Sequence, residues 1–263
     1  MSDAIRVVVS GAGGRMGREV VNAILEAGPE FTLVGGADPA FAGNSISEVL
    51  GADSPVVIEK DLESVLRSTK ADVAVVFSVP SAAMVDIRSA MEARMVPVVG
   101  TTGITAENLE EIKGLAARHG VGAIIAPNFA IGAVLMMKFA EEAAKHFPAA
   151  EIVELHHDKK VDAPSGTAIK TAEMIASARQ TGSEGASGEM PAARGDDCEG
   201  VRIHSVRLPG LVAHQEVIFG GLGQTLSVRH DSYDRKSFMP GVLLAVRKSR
   251  GLKDVICGLE NII

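Results

Sequence analysis

The chain has 263 residues, of which 46% are hydrophobic and 22% are charged. This composition is that of a globular protein rather than a disordered one, and the length suffices for one large domain or two modest ones. The formal net charge of −7 and an aromatic content of only 3%, with no Trp, argue against a nucleic-acid partner. The two cysteines, Cys198 and Cys257, lie far apart, so we expect neither a disulfide framework nor a metal site.

No segment has the pattern of a signal peptide or of a membrane span. The opening residues, Met1–Arg6, lack a basic region followed by an apolar one. The longest uncharged run, Val121–Met137, is interrupted by Pro127, Asn128 and Gly132 and is shorter than the roughly 20 apolar residues that cross a bilayer. We therefore expect a soluble, cytoplasmic protein with no membrane partner.

The first half of the chain alternates short apolar runs with segments of helical spacing. The apolar runs predict strands at 5–9, 31–37, 73–77, 96–99 and 122–126, and the segments between them predict helices at 15–27, 82–94 and 109–119. Strands that alternate with helices indicate βαβ units with right-handed crossovers. The fold class expected here is α/β, a Rossmann-type doubly wound parallel sheet.

The pattern changes after Pro127. Helices are predicted at 131–146, 166–179 and 239–250, and strands at 152–156, 201–206, 212–219 and 224–230, with Pro-Gly and Gly-Gly turns between the last strands. Residues 180–200 are rich in Gly, Ser, Glu and Asp and are predicted to be a mobile loop. We expect a second α+β domain with a mixed or antiparallel sheet at 128–239. The first domain then comprises 1–127, with 240–263 packing back on it.

A glycine-rich loop joins the first predicted strand to the first helix. Its residues are Gly11, Ala12, Gly13, Gly14, Arg15, Met16 and Gly17. Glycines let a backbone turn tightly beside a pyrophosphate, and the following helix offers free N–H groups to that anion. The spacing departs from G-x-G-x-x-G because Met16 stands where the third glycine would be. Asp38, about 20 positions after the loop, is placed to accept from a ribose 2′-hydroxyl, so a dinucleotide site is predicted.

Asp38 also bears on the choice of nucleotide. A carboxylate repels the 2′-phosphate of NADP, and the next residue is Pro39 rather than an arginine that would bind that phosphate. NADH is therefore the expected cofactor, while Arg15 leaves NADPH open. The turn Gly100–Gly103 ends another predicted strand, at the carboxyl edge where the cofactor crevice of such a sheet lies.

The segment from Glu154 to Ala168 concentrates groups that can transfer protons and bind anions. Two histidines, His156 and His157, and two lysines occur within five residues. Either Asp162 or Ser165 can cap the helix that follows, which leaves the N–H groups of Gly166 and Thr167 to bind a carboxylate. A lysine beside a helix N-terminus and a histidine that can donate a proton suit the reduction of an anionic substrate. The residues alone leave open whether His156 or Lys160 donates that proton.

The motifs together resemble one known family, the 4-hydroxy-tetrahydrodipicolinate reductases, also called dihydrodipicolinate reductases. The resemblance covers nearly the whole chain and is carried by Gly11–Gly17, Gly100–Gly103, Ala126–Phe129 and above all Glu154–Ala168. It implies NAD(P)H-dependent reduction of the dehydrated form of 4-hydroxy-tetrahydrodipicolinate to tetrahydrodipicolinate, in lysine and diaminopimelate biosynthesis. It also implies a small anionic dicarboxylate as substrate and a homotetramer assembled through the second, substrate-binding domain.

The resemblance further implies roles for individual residues. His156 aligns with the family's proton donor and Lys160 with its catalytic lysine, while His157, Gly166 and Thr167 align with contacts to the substrate carboxylate. The segments aligned with contacts on the nicotinamide side are Gly100, Thr101 and Thr102, and Ala126, Pro127, Asn128 and Phe129. The same nucleotide-binding domain would also serve two other kinds of protein: another two-domain NAD-dependent dehydrogenase of amino acids or imines, and a non-enzymatic dinucleotide sensor. Only the His-Lys segment discriminates against them.

Overall fold

The computed structural model describes residues 4–179 and 191–263, apart from the side chain of Ala192. The chain divides into two compact units. The first contains the chain up to Phe129 together with Phe238–Ile263, and the second is Ala130–Ser237. Within the part of the chain that is described, no helix is long and apolar enough to cross a membrane.

The first unit contains a seven-stranded sheet in which all neighbouring strands are parallel. Its strands are β1 (Ile5–Ser10), β2 (Phe31–Ala37), β3 (Ile58–Glu59), β4 (Val73–Val76), β5 (Val96–Val99), β6 (Ala123–Ile125) and β12 (Val255–Cys257). Their order is β12-β6-β5-β4-β1-β2-β3. Every residue of β4, β5 and β6 is buried, so both faces of the central sheet are covered.

Six α-helices of the described chain belong to this unit, and side-chain caps explain where three of them begin. They are α1 (Arg15–Glu26), α2 (Ile46–Leu50), α3 (Leu62–Ser68), α4 (Pro80–Glu92), α5 (Ala106–His119) and α8 (Met239–Lys248). Ser45, Asp61 and Thr105 cap α2, α3 and α5 by accepting backbone N–H bonds through their side chains. The α1 terminus differs, because Gly14 occupies its N-cap position and provides no side-chain cap.

The second unit holds a five-stranded mixed sheet. Its strands are β7 (Ala149–His156), β8 (Asp196–Cys198), β9 (Val201–Arg207), β10 (Ala213–Gly221) and β11 (Gln224–Ser232), in the order β11-β10-β7-β9-β8. Strand β7 runs antiparallel to β10 and parallel to β9, so the sheet is mixed. Helices α6 (Ile131–Ala144) and α7 (Gly166–Ala178) belong to the same unit. The predicted fold class, a Rossmann-type parallel sheet plus a second α+β unit, is confirmed.

The predicted mobile loop at 180–200 is wrong at its carboxyl end. Residues 180–190 lie outside the described part of the chain. Asp196–Cys198, however, forms strand β8, which pairs antiparallel with β9. The sequence did not predict this strand, because the polar, largely exposed side chains of an edge strand lack the alternation of apolar and polar residues that identifies strands. The short elements α2, β3, α3 and β12 were not predicted either.

Candidate active site

The glycine loop between β1 and α1 is packed so tightly that side chains are excluded at several positions. Gly11 has a φ of +79°, and a Cβ there would lie 2.5 Å from the backbone oxygen of Phe77. A Cβ on Gly13 would overlap the ring of Phe41, and one on Gly17 would lie 1.9 Å from the backbone oxygen of Gly11. The loop therefore lies directly against its neighbours, which is what the predicted turn requires.

The amino end of α1 has the properties of an anion site. No side chain caps it, and no acidic residue lies in its first turn. The first N–H groups of a helix lack intrahelical acceptors and carry a partial positive charge, so a pyrophosphate suits this position. Arg15, the first helical residue, is exposed, and Met16 is half-buried. The amino end of α1 can therefore accept an anion.

Asp38 lies against this loop. Its Oδ2 accepts a hydrogen bond from the backbone N–H of Gly13 at 3.0 Å, and its Oδ1 accepts from the N–H of Ala40 at 3.0 Å. Because each carboxylate oxygen has two lone pairs, these bonds leave acceptor capacity for ribose hydroxyls. The structure therefore brings Asp38 and the glycine loop into direct contact.

The segments after β5 and β6 lie side by side at the carboxyl edge of the sheet. The rings of Phe77 and Phe129 pack with centroids 5.8 Å apart, and a Cβ on Gly100 would overlap the Phe77 ring. Thr101 is buried and donates its hydroxyl to the backbone oxygen of Ser78 at 2.9 Å. Among the other predicted cofactor residues, Ala126 is buried, Asn128 is half-buried, and Thr102 and Pro127 are exposed.

A buried carboxylate that the sequence analysis did not single out supports this edge. Asp86 of α4 accepts hydrogen bonds from Ser10 Oγ at 2.8 Å and from Ser78 Oγ at 2.6 Å. Burial raises the pKa of Asp86, although these two hydroxyl donors act in the opposite direction. The available signal was its position, because Asp86 shares the buried stripe of α4 with Ala83, Ile87 and Ala90.

In the second unit, the predicted catalytic residues lie between the end of β7 and the start of α7. His156 is the last residue of β7, and Ser165 caps α7 by accepting from the N–H of Ala168 at 3.3 Å. Ser165 rather than Asp162 is therefore the cap. The Asp162 carboxylate instead accepts two hydrogen bonds from Lys160 Nζ, at 2.8 and 2.7 Å. His157 is exposed, and Lys160 is half-buried.

The amino end of α7 is open where the sequence predicted a carboxylate site. A Cβ added at Gly166 would meet no atom within 4 Å. Gly166 is the first helical residue, so its N–H has no intrahelical acceptor, and Thr167 follows it. Together with Lys160, this terminus offers positive charge and donors to an anionic ligand.

Glu154 is the first residue of the predicted motif, and the sequence alone assigns it no role. Its side chain is fully buried and accepts from His156 Nδ1 at 2.5 Å and from both terminal nitrogens of Arg207, at 2.8 and 2.7 Å. Burial alone would raise the pKa of Glu154, but the hydrogen bonds from His156 and Arg207 outweigh it and lower the pKa to about 2. Glu154 shares the buried face of β7 with Ala150 and Ile152, which was the signal for it.

Comparisons with known proteins agree with this geometry. Residues 5–129 match the family model described as dihydrodipicolinate reductase, N-terminus, and residues 132–263 match the model for its C-terminus. The 4-hydroxy-tetrahydrodipicolinate reductase of Desulfitobacterium hafniense is 52% identical, with 98% of each chain covered. That of Moorella thermoacetica is 50% identical over 100% of this chain and 99% of its own.

Solved structures give the same result. Dipicolinate-bound dihydrodipicolinate reductase from Paenisporosarcina sp. TG-14 superimposes with a TM-score of 0.84 at 43% identity, covering 99% of this chain and 100% of that one. An amine dehydrogenase from Mycobacterium smegmatis, at 13% identity and a TM-score of 0.66 over 94% and 92% of the two chains, shares the fold alone. The two alternative functions, a different dehydrogenase and a sensor, are not favoured. The chain belongs to the dihydrodipicolinate reductase family, the NAD(P)H-dependent oxidoreductases of lysine and diaminopimelate biosynthesis.

Proposed function

We propose that His156, Lys160 and the amino end of α7 bind and protonate a small dicarboxylate imine, the dehydrated form of 4-hydroxy-tetrahydrodipicolinate. The observation that carries this proposal is the single loop from His156 to Ser165, which places a histidine, a lysine and the exposed helix terminus next to one another in the chain. The dipicolinate bound to the relative from Paenisporosarcina supports a ligand with two carboxylates.

The groups in this loop divide between two tasks, carboxylate binding and proton donation. A substrate carboxylate is bound by Lys160 Nζ and by the N–H groups of Gly166 and Thr167, with His157 as a further contact. In the structure, Lys160 Nζ is paired with Asp162. A nicotinamide cofactor, when bound, supplies the hydride. His156 then donates the proton that completes the reduction of the substrate ring, because its Nδ1 is engaged with Glu154 and its Nε2 is the nitrogen left to exchange protons.

The first unit would hold the cofactor. The open amino end of α1 binds the pyrophosphate, Asp38 accepts from the adenosine ribose, and the segments Gly100–Thr102 and Ala126–Phe129 contact the nicotinamide side. We propose a preference for NADH over NADPH. Two nearby cations are already engaged, since Arg18 donates to the backbone oxygens of Gly13 and Val49, and Lys60 lies 3.7 Å from Asp61. Arg15 is exposed and is the cation that would bind the 2′-phosphate when NADPH is used.

We also propose that the protein works in the cytoplasm as a homotetramer, as the family resemblance implies. Strand β11 lies at the edge of the second sheet, and most of its residues are exposed, among them Leu226. An exposed strand edge of nine residues is a surface on which another chain can pair. Light scattering coupled to gel filtration would report four subunits, and a monomer at micromolar concentration would contradict this assembly.

The function is tested by following NADH and NADPH oxidation at 340 nm, with substrate generated from pyruvate and aspartate semialdehyde by the preceding enzyme. Lys160→Gln is expected to lower kcat by at least about 100-fold, with the Kd for NADH unchanged. Lys159→Gln is the matched control, because it removes the same charge from an exposed neighbour in the same loop. Turnover of Lys160→Gln near that of Lys159→Gln would remove Lys160 from the mechanism.

A further inference from the structure

Hydrogen-bond donors surround both oxygens of the Glu154 carboxylate, and the Ser205 side chain is a further partner. Glu154 Oε1 accepts from Arg207 Nη2 at 2.7 Å and from the backbone N–H of Ser165 at 3.3 Å. Its Oε2 accepts from His156 Nδ1 at 2.5 Å and from Arg207 Nη1 at 2.8 Å. A fully buried charge is costly unless it is satisfied in this way. Glu154 is therefore held as an ionised acceptor with a fixed set of partners.

This arrangement determines which nitrogen of His156 is available. Residues 154 and 156 lie on the same face of β7, because side chains alternate along a strand. A carboxylate only accepts hydrogen bonds, so Nδ1 of His156 carries the hydrogen of that contact. Proton exchange is thereby left to Nε2, and the ring is held in one orientation.

Arg207 links the same carboxylate to the lysine. It lies directly beside His156 in the parallel pairing of β7 and β9. Besides binding Glu154, its Nη2 donates to the backbone oxygen of Asp162 at 2.7 Å, and the Asp162 side chain holds Lys160. Its Nε is buried and has no hydrogen-bond partner among the described residues.

We propose that Glu154 and Arg207 are positioning residues of the reaction. Glu154 fixes the tautomer and orientation of His156, and Arg207 fastens the Asp162–Lys160 segment to the same carboxylate. The proton donor and the lysine are thus set as one unit. This inference rests on the proposed role of His156, so its test must separate the two.

The chain contains a matched control on the same strand. Glu151 accepts from His204 Nε2 at 2.8 Å and pairs with Arg194, so it is a second carboxylate with a histidine and an arginine. It lies three positions from Glu154 and therefore on the opposite face of β7. Glu151→Gln thus removes the same kind of contact from the same strand, away from His156.

The first experiment compares kcat and KM of wild type, Glu154→Gln and Glu151→Gln. Histidine labelled with 15N is observed by NMR in each protein, and the His156 signals are assigned from their loss in His156→Asn. Glu154→Gln is expected to lower kcat by about 10- to 100-fold and to change the His156 tautomer, with the Kd for NADH unchanged. Glu151→Gln is expected to leave both readouts as in wild type.

Arg207→Lys keeps the proposal falsifiable if Glu154→Gln fails to fold. Lysine retains a cation for Glu154 but lacks the planar fork that reaches Asp162 as well. Its expected signature is a raised KM for the imine with the wild-type His156 tautomer.

The outcomes separate the two ideas. If His156→Asn turns over normally, the proton-donor role fails and the positioning proposal falls with it. If His156→Asn is impaired but Glu154→Gln keeps the wild-type kcat and tautomer, the proton donor stands and Glu154 is not a positioning residue. A wild-type KM in Arg207→Lys would overturn the part assigned to Arg207.

Discussion

The carboxylate of Asp38 accepts a 3.0 Å hydrogen bond from the backbone N–H of Gly13, which fastens the end of β2 to the glycine loop after β1. The acidic residue that would recognise the ribose is thus also part of the loop that would hold the pyrophosphate. We therefore expect a change at Asp38 to act on cofactor binding in two ways, through the charge of the side chain and through the geometry of the loop.

Asp38→Asn keeps an acceptor for Gly13 but removes the negative charge. We expect the KM for NADH to rise about tenfold, because a hydrogen bond to a charged acceptor contributes about 1.5 kcal/mol or more. The KM for NADPH is expected to stay level or fall, since repulsion of the 2′-phosphate is lost. Steady-state kinetics with both cofactors measure this ratio. Glu59→Gln, beside Asp38 at the end of β3, controls for general charge, and an equal shift there would contradict a specific role.

Gly17→Ala is expected to disrupt the first unit, because its Cβ would lie 1.9 Å from the backbone oxygen of Gly11 and 2.7 Å from the Gly11 carbonyl carbon. Neither atom can yield without moving the loop. Gly114→Ala in α5 is the control, since a Cβ there meets nothing within 4 Å and alanine favours a helix by about 0.5–1 kcal/mol. Thermal unfolding should show a lower Tm for Gly17→Ala and a slightly higher one for Gly114→Ala. Equal Tm values would contradict the close packing.

The elements that the sequence predicted are those whose pattern is local. The strand Phe31–Ala37 has the predicted bounds, because a mostly apolar run between Pro29 and Asp38 identifies it. Strand Val255–Cys257 has only three residues and forms by pairing with β6. The residues next to it in the sequence carry no signal of that distant pairing. Helix Ile46–Leu50 depends on the capping box of Ser45 and Glu48 and is too short to show a period.

The candidate site divides in the same way. The glycine loop and the His-Lys segment are contiguous in the chain, so their chemistry is visible in the sequence. Asp86 and Glu154 are recognisable only through distant partners, since Ser10 precedes Asp86 by 76 positions and Arg207 follows Glu154 by 53. Each is a charged residue on an apolar stripe. That pattern marks a buried acid but does not identify the donors that satisfy it.

Glu154 is expected to make stability depend on acid pH. Its pKa is about 2 in the folded protein against an ordinary 4.5, so its stabilising effect is complete above about pH 4.5 and is lost as the pH falls towards 2. The whole effect amounts to about 3 kcal/mol, of which about 2 kcal/mol disappears between pH 6 and pH 3. Urea unfolding at these two pH values should show that the difference in free energy of unfolding between wild type and Glu154→Gln is smaller at pH 3 than at pH 6. A difference that stays constant with pH would mean that the carboxylate is not held ionised.

Asp86 is expected to give the opposite dependence. Burial raises its pKa above the ordinary 3.8, so the native state favours the protonated form, and wild type loses stability as the pH rises through the folded pKa. Asp86→Asn carries no such charge, and its Oδ1 can accept from both Ser10 and Ser78, because a single carboxylate oxygen, Oδ2, accepts both bonds in the wild type. It should therefore gain stability relative to wild type between pH 4 and pH 7, measured by the same urea unfolding. Asp86→Ala leaves both hydroxyls without this acceptor and is expected to be less stable at every pH. If the stability of Asp86→Asn relative to wild type instead fell as the pH rose, the carboxylate would be stabilised in its ionised form. The hydrogen bonds from Ser10 and Ser78 would then outweigh the cost of burial.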